Sequence, residues 1–542
     1  MSIAARSATV DAPNIAWWQH GVIYQIYPRS FQDSNGDGIG DLRGITGRFD
    51  YLSWLGVDAI WLSPIYPSPM KDFGYDISDY VGVDPIFGTP ADLDALIAEA
   101  HRRRIRVVLD FVPNHTSDLH PWFQESRRDR SSRFRNWYIW RDPSPGGGTP
   151  NNWLSEFGGP AWEYDAPSGQ YYYHAFLKEQ PDLNWRNPEV REAMHDVLRF
   201  WLDRGVDGFR IDVLHHVIKD AQFRDNPPNP AYEPTMRPHQ VVLSRFTVDQ
   251  PELQSVITGL RKVVDEYPER VLIGEVYLPM DRLVAYYGAE LNGIHLPFNF
   301  SLLGASWSAA VLGQVISTYE AALPAGAWPN WVLGNHDISR IATRVGAACA
   351  RPAAMLLLTL RGTPTIYYGD ELGMADIAIS ADQVQDPFEK RVPGIGAGRD
   401  PERTPMRWDA GPSAGFTAGT PWLPIGDGVG DCNVERQRDD PHSMLALHRA
   451  LLRLRRERAA LAVGSYVGLP VDSECLSFMR QHRDERLLVM LNFSHQVRHL
   501  KIPEAFARGR VLLSTGLDRD DRLHGDTVEL RPAEGVLLEP AQ

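Results

Sequence analysis

Cysteine is scarce: the 542-residue chain carries three, Cys349, Cys432 and Cys475. The number is odd, the spacing is wide, and no pair stands at zinc-ligand spacing. A disulfide framework is excluded, and buried reduced thiols are expected. Long apolar runs are missing too. The best, Ala353 to Leu360, falls far short of the roughly 18 residues a membrane helix needs. Met1 to His20 lacks the apolar core of a secretory signal, so a cytoplasmic location is expected. Positive charge is in deficit, with 55 Lys+Arg against 69 Asp+Glu and a net charge of −14. Such a chain is a poor partner for nucleic acid or an anionic membrane without a local basic patch. The one basic run, His101 to Arg106, reads as the polar end of a helix.

What is present describes a folded enzyme-sized chain. Hydrophobic residues make up 43% and charged residues 23%, which argues against disorder. Aromatics reach 10%, with 16 Trp. The length predicts three or four domains, or one large barrel with additions.

Eight short β-branched or aromatic runs read as buried parallel strands: Val22–Tyr27, Asp58–Leu62, Arg106–Phe111, Asp207–Asp212, Arg270–Glu275, Gly293–Pro297, Trp331–Gly334 and Pro364–Tyr368. Helical patterns lie between most of them, as at Thr89–Arg104, Pro188–Arg204 and Pro251–Tyr267. Two of these open on an N-cap followed by Pro, at Thr89 and Asn187. Strands alternating with helices predict an α/β fold, a (β/α)8 TIM barrel. A doubly wound sheet is the alternative, but no Gly-rich phosphate turn follows the first strand. About 100 residues separate the third strand from the fourth. That gap, rich in Pro, Gly, Asn and aromatics, predicts a small inserted domain. Beyond residue 460, short alternating runs predict an antiparallel β domain. The expected division is a barrel over 1–111 and 186–460, an inserted domain over 112–185, and a C-terminal β-sandwich over 461–542.

Barrel chemistry sits where strands end. The third strand ends in Asp110, with Asn114 and His115 just beyond. The fourth ends Arg210-Ile-Asp212, the fifth Gly274-Glu275, and the seventh runs into Asn335-His336-Asp337. One carboxylate after a strand is an ordinary helix cap. Several on one rim repel one another, a cost expected only where function needs it.

These segments, in this order, resemble the four conserved segments of the alpha-amylase superfamily, glycoside hydrolase family 13. Gln180-Pro-Asp-Leu-Asn184 resembles that family's additional segment, in the form found in oligo-1,6-glucosidases and α-glucosidases. The resemblance implies a nucleophile at Asp212, an acid/base at Glu275 and a third acid, Asp337, that grips sugar hydroxyls. A retaining pair needs its carboxyls about 5–5.5 Å apart. Arg210 stands two residues before Asp212 and shares its face of the strand, so it is expected to keep Asp212 ionised. Glu275 must stay protonated, which burial and neighbouring negative charge favour. His115 and His336 are implied hydrogen-bond donors to the same sugar. Asp72 and Tyr75 match residues that close the pocket around a terminal glucose. Arg399, in the segment Arg399-Asp-Pro-Glu-Arg403, is expected to reach that glucose too, with Arg403 a second candidate. Phe176 and Tyr75 are expected to wall the sugar's faces. A closed pocket means one glucose released at a time, whereas an open cleft means endo action.

A second motif lies at Asp33-Ser-Asn35-Gly-Asp37-Gly-Ile39-Gly-Asp41. Alternating oxygen side chains with glycine bends are the chemistry of a hard-cation loop. It departs from an EF-hand at the twelfth position and resembles the metal loop of the oligo-1,6-glucosidase group. Structural Ca2+ or Mg2+ is expected there; a polar turn without metal is the other reading. No organic cofactor is expected. The substrate implied is a small oligosaccharide or glucoside, the oligomer a monomer or homodimer.

Val213, after the expected nucleophile, accompanies α-1,6 activity in many relatives. The segment that follows it is closer to α-glucosidases of short substrates. The expectation is therefore a retaining exo-α-glucosidase acting on compounds such as maltose, with transglucosylation as a side activity. An oligo-1,6-glucosidase or a trehalose-active relative is the alternative, and a non-catalytic binding subunit the remote one. His216 is a candidate on the aglycone side. The Pro- and Asn-rich stretch Asp225–Pro238 is expected to border that side.

Overall fold

The structure, a computed structural model, describes residues 15–470, 472 and 474–541. Most of the Met1–His20 stretch discussed above lies outside them.

Eight parallel strands form the central sheet: β1 (Ile23–Ile26), β2 (Ala59–Leu62), β3 (Arg106–Phe111), β4 (Gly208–Ile211), β5 (Val271–Gly274), β6 (Leu296–Pro297), β7 (Asn330–Val332) and β8 (Thr363–Tyr367). They pair in the order β7-β8-β1-β2-β3-β4-β5-β6. A parallel bridge between Asn299 and Trp331 joins the end of β6 to β7 and closes the ring. The expected (β/α)8 barrel is thus the observed one. β6 is shorter than the sequence suggested. The Gly293 and Ile294 amides donate to the Tyr287 and Tyr286 carbonyls of the preceding turn. That leaves a ladder of two residues.

The two-residue period of each strand sorts its side chains. Ile23, Ala59, Trp61, Val108, Val271, Ile273, Leu296 and Val332 fill the barrel interior as one apolar cluster. Their neighbours Tyr24, Ile60, Val107, Leu109, Phe209, Leu272 and Trp331 join the larger core shared with the surrounding helices. Two residues beyond the interior Ile23, Val108 and Ile273 stand Gln25, Asp110 and Glu275. A polar layer therefore rests on an apolar plug at the C-terminal end of the barrel. Gly208 permits the close packing beneath it, because a Cβ there would lie 2.4 Å from the Val271 carbonyl oxygen.

The helices begin where the caps predict. Thr89 accepts from the Asp92 amide ahead of Pro90–Arg102, and Asn187 from the Glu189 amide ahead of Pro188–Asp203. Each has Pro at its first turn, where a missing N–H costs nothing. The basic run at the end of the first helix is neutralised locally. Arg102 and Arg103 pair with Glu99, and Arg106 with Asp207 and Glu269.

Between β3 and β4 lies a three-stranded antiparallel sheet, with Gln170–Tyr173 in the middle, flanked by Trp140–Arg141 and Trp162–Asp165. It is tied down by a buried ion pair between Lys219, beyond β4, and Asp182. After the barrel, a five-stranded antiparallel sheet runs from Ser465 to Glu539, beside a two-stranded one. Leu487, Val489 and Leu491 pack toward the barrel. Leu488 and Met490 face Val528 and Leu530 of the smaller sheet. All three cysteines are free thiols. Among the described residues no helix is long and apolar enough to cross a membrane.

Candidate active site

Arg210 organises the polar layer. Fully buried, its Nη1 lies 2.8 Å from Asp110 Oδ1 and 2.8 Å from Asp212 Oδ1, and its Nη2 lies 2.7 Å from Glu275 Oε2. Sequence spacing pointed to the Asp212 contact alone. The guanidinium is in fact divided among three carboxylates on β3, β4 and β5. Val213 follows β4 in a left-handed turn, φ 35°, a costly conformation for a β-branched residue. That turn aims its amide at Glu275 Oε2, 2.8 Å away. These contacts take Oδ1 of Asp212 and Oε2 of Glu275 and leave the other oxygen of each free of them.

Burial dominates the protonation of this group. It pushes the Asp212 carboxyl well above its ordinary range; Arg210 opposes the rise, and Glu275 and Asp110 add to it. Burial raises Glu275 as well, again against Arg210 and with Asp337 adding to the rise. So many carboxyls around one cation cannot all ionise together. Arg210 does contact Asp212, as its place two residues earlier on the strand led one to expect, but it shares its charge with Asp110 and Glu275. Asp337 is different. Burial would raise it, but His336, Arg403, Arg399 and Arg210 outweigh burial and hold it well below the usual range.

One end of the site is closed by ion pairs. Arg399 reaches Asp72 Oδ1 at 2.7 Å, Asp386 Oδ1 at 2.6 Å and Asp337 Oδ1 at 3.3 Å. Arg403 adds a 2.8 Å contact to Asp337 and donates to the His336 carbonyl at 2.6 Å. His336 stacks flat on Tyr75, ring centres 5.3 Å apart. Its Nε2 is 2.7 Å from the Tyr75 hydroxyl, and its Nδ1 is 2.8 Å from Gln25 Nε2. His115 Nε2 lies 3.1 Å from both the Tyr75 carbonyl and Gln180 Nε2. Burial lowers His115 to about 4 and His336 well below its ordinary value, so both rings are neutral at pH 7. Phe176 packs against His115, centroids 5.3 Å apart. The sequence singled out Asp72, Tyr75, His115, Phe176, Asp212, Glu275, His336, Asp337 and Arg399, and all of them line one cavity of about 420 Å³. Arg210 lies beneath its floor.

Residues 25–464 match the family described as "Alpha amylase, catalytic domain". The chain belongs to the alpha-amylase family. It is an enzyme, a glycoside hydrolase. The chain is similar to a probable alpha-glucosidase of Rhizobium meliloti, 42% identical over 93% of this chain and 94% of that protein. It is 38% identical to an oligo-1,6-glucosidase of Parageobacillus thermoglucosidasius over 96% and 98% of the two chains. Among solved structures, an alpha-glucosyl transfer enzyme superposes with a TM-score of 0.93, at 42% identity, covering 97% of this chain and all of the other.

In this alpha-amylase family member the opposite end of the cavity is lined by residues that sequence reasoning missed. Tyr277 lines it near Glu275 and stacks on Phe300 at 4.3 Å. Phe157, from the inserted region, bridges the two ends, lying under the Arg399 guanidinium at 5.3 Å and against Phe388 of a helix beyond β8 at 5.6 Å. Glu156, Arg237 and His239 stand with His216 on the same side. Of the stretch Asp225–Pro238, Arg237 is the residue that reaches the cavity; the lining continues from there to Val248. The expected border therefore begins where that stretch ends. No local pattern marks these residues, because four separate loops deliver them. Asp386 also went unnoticed, being 13 residues from the arginine it holds.

The oxygen-rich loop folds back on itself. Asp33 accepts from the Asn35, Gly36 and Gly38 amides and from Thr417. Asn35 accepts from the Asp37 amide, Asp37 from Ile39, and Asp41 from Ser34 and Gly44. An oxygen-only donor set suits a hard cation. Among the described residues, however, no three His, Cys, Asp or Glu side chains gather closely enough to hold a metal by themselves. A cation here would also need the Asn35 side chain and the Ile39 carbonyl.

Proposed function

We propose that the protein is a retaining, exo-acting α-glucosidase that releases glucose from the non-reducing end of short α-glucosides such as maltose. The observation that carries this reading is the single guanidinium of Arg210 spanning Asp212 and Glu275, at one side of a pocket whose far end is sealed by Arg399, Asp72 and Asp386.

In this reading, Oδ2 of Asp212 attacks the anomeric carbon while Glu275 delivers a proton to the departing oxygen. The proton resides on Glu275, whose Oε2 is held by Val213 and Arg210, so Oε1 is the donor. Its retention there leaves Asp212 ionised against Arg210. Glu275 then takes a proton from water, which cleaves the glucosyl-enzyme; a sugar hydroxyl in place of water gives transglucosylation. Asp337, strongly ionised, and the neutral His115 and His336 bind hydroxyls of the glucosyl ring. The sealed end admits a terminal glucose and no further sugar.

The second reading, an oligo-1,6-glucosidase, is favoured by Val213 in the cavity wall and by the relative of that name. The same proposal includes structural Ca2+ or Mg2+ in the loop Asp33–Asp41, a cytoplasmic location, and a monomer or homodimer.

The test is Asp212→Asn. Glucose release from maltose should fall by about 10,000-fold or more, as when a covalent nucleophile is lost; release at the wild-type rate would sink the mechanism. Initial rates on maltose, isomaltose, trehalose and sucrose decide the linkage. A preference for isomaltose of about tenfold or more would overturn the α-1,4 assignment in favour of the second reading.

A further inference from the structure

The cavity wall built by the inserted region and the segment after β4 contains a polar seat. Glu156, from the inserted region, has Oε2 2.9 Å from His239 Nε2. Its Oε1 stands 4.0 Å from His216 Nε2. That second gap is too long for a direct hydrogen bond. It is the right width for one oxygen seated between them, about 2.8 Å from each. Glu156 would accept from a hydroxyl there and His216 would donate to it. Glu156 keeps 22% of its side chain exposed, while His216 and His239 are at 8% and 10%.

The surroundings are constructed to keep the carboxylate charged and still. Burial would raise Glu156, but His239, Arg237 and His215 outweigh it and hold it below its ordinary value. His216 is neutral: burial lowers it well below its ordinary value, and His215 adds to the fall. Arg237 is itself seated over the Phe388 ring at 5.1 Å. The segment that carries His239 is pinned at its base. Asn226 accepts from the Phe246 amide at 2.8 Å and is locked to Asn152 of the inserted region by two hydrogen bonds. Asn229 N bonds to the Val241 carbonyl across the excursion. The Glu156 amide is fixed by the Ala175 carbonyl at 2.8 Å. None of these residues belongs to the Arg210 cluster or to the Arg399 seal.

We propose that Glu156 and His216 bind a hydroxyl of the leaving or accepting sugar, with His239 as the positioning residue for Glu156, so that this seat selects a polyhydroxylated aglycone over an aryl one. The proposal rests on the glucosidase reading above. It explains why a half-buried charge is maintained in the wall of a pocket whose chemistry does not use it.

The test compares two glucosides that share the glucosyl half, maltose and 4-nitrophenyl α-D-glucopyranoside. Only maltose offers hydroxyls to the seat. Glu156→Gln should lower kcat/KM for maltose by about ten- to a hundredfold, the range for a hydrogen bond to a charged group, and leave the aryl glucoside within about threefold. His239→Ala should shift the same ratio in the same direction. His239→Gln, which keeps a donor near the Nε2 position, should restore most of it. Equal losses on both substrates would make Glu156 merely structural and overturn the proposal, as would an unchanged rate on maltose. A wild type that cleaves neither glucoside overturns the glucosidase reading and the seat with it. A wild type that cleaves both, with variants that do not discriminate, overturns the seat alone.

Discussion

Arg399 meets Asp72 at 2.7 Å across 327 residues of chain. The arginine comes from beyond β8 and the aspartate from the loop after β2, and both side chains are almost wholly buried. Both residues line the cavity, so this contact crosses one end of it. Arg399→Ala would leave Asp72 and Asp386 buried without their shared cation. Breaking one partner of such a set costs about 3–5 kcal/mol. The expected outcome is a clear fall in melting temperature and a loss of kcat/KM on maltose; an unchanged melting temperature would show the network to be dispensable.

With Glu275 as the proposed acid, the alkaline limit of activity should follow its carboxyl. Its carboxyl is raised by burial, so the protonated form persists above the ordinary carboxylate range. Activity should therefore fall as pH rises through that raised value. Glu275→Gln cannot give up its proton and should abolish this limb along with most of the rate. A kcat/KM profile on maltose checks both, and a variant that keeps the wild-type alkaline limb would count against Glu275 as the acid.

Asp370 gives stability a pH dependence of its own. Burial, opposed by Arg340, raises it to about 7. A folded-state value above the unfolded one means that the folded state holds the extra proton. The associated stability is complete below about pH 4 and is lost as pH rises toward 7. Asp370→Asn should remove this slope, so that the variant gains on the wild type between pH 4 and 7 by at most about 4 kcal/mol. Parallel denaturation curves across that range would refute the assignment.

Lys219 and Asp182 fasten the inserted region to the barrel, with 1% and 0% of their side chains exposed. Lys219→Met should cost about 3–5 kcal/mol by stranding Asp182, while Lys219→Met with Asp182→Leu should recover much of it. Urea unfolding of the single and double variants separates the two. A double variant as unstable as the single one would mean that Asp182 matters chiefly through its bonds to Asn114 and Ala175.

If the loop Asp33–Asp41 holds Ca2+ or Mg2+, chelation should lower the melting temperature, by about 2.7 kcal/mol of stability where the ion had stood at 100 times its Kd. The rate per folded molecule should not change, because the loop lies outside the cavity lining. No shift on chelation, followed by no shift on adding either ion back, would favour the polar turn without metal.

The eight-strand alternation, the helix caps at Thr89 and Asn187 and the acids at strand ends were all legible in the chain. Each is a local matter of period, capping chemistry or adjacency. Local signals also carried the candidate residues from Asp72 to Arg399, through segments that resemble a known family. What the order of residues could not determine is which distant groups share a charge. Arg210 stands two positions from Asp212, and strand geometry predicts that contact. Its hold on Glu275 and Asp110 exists only because three strands lie side by side in a closed ring. Glu156 comes from the inserted region, His216 and His239 from distant points of the connection after β4, and Asp386 from beyond β8. Their protonation follows from burial and from neighbours that no local window contains. Periodicity decides which face a side chain takes; the closing of the barrel decides what it meets there, and in a water-poor interior that meeting sets its charge.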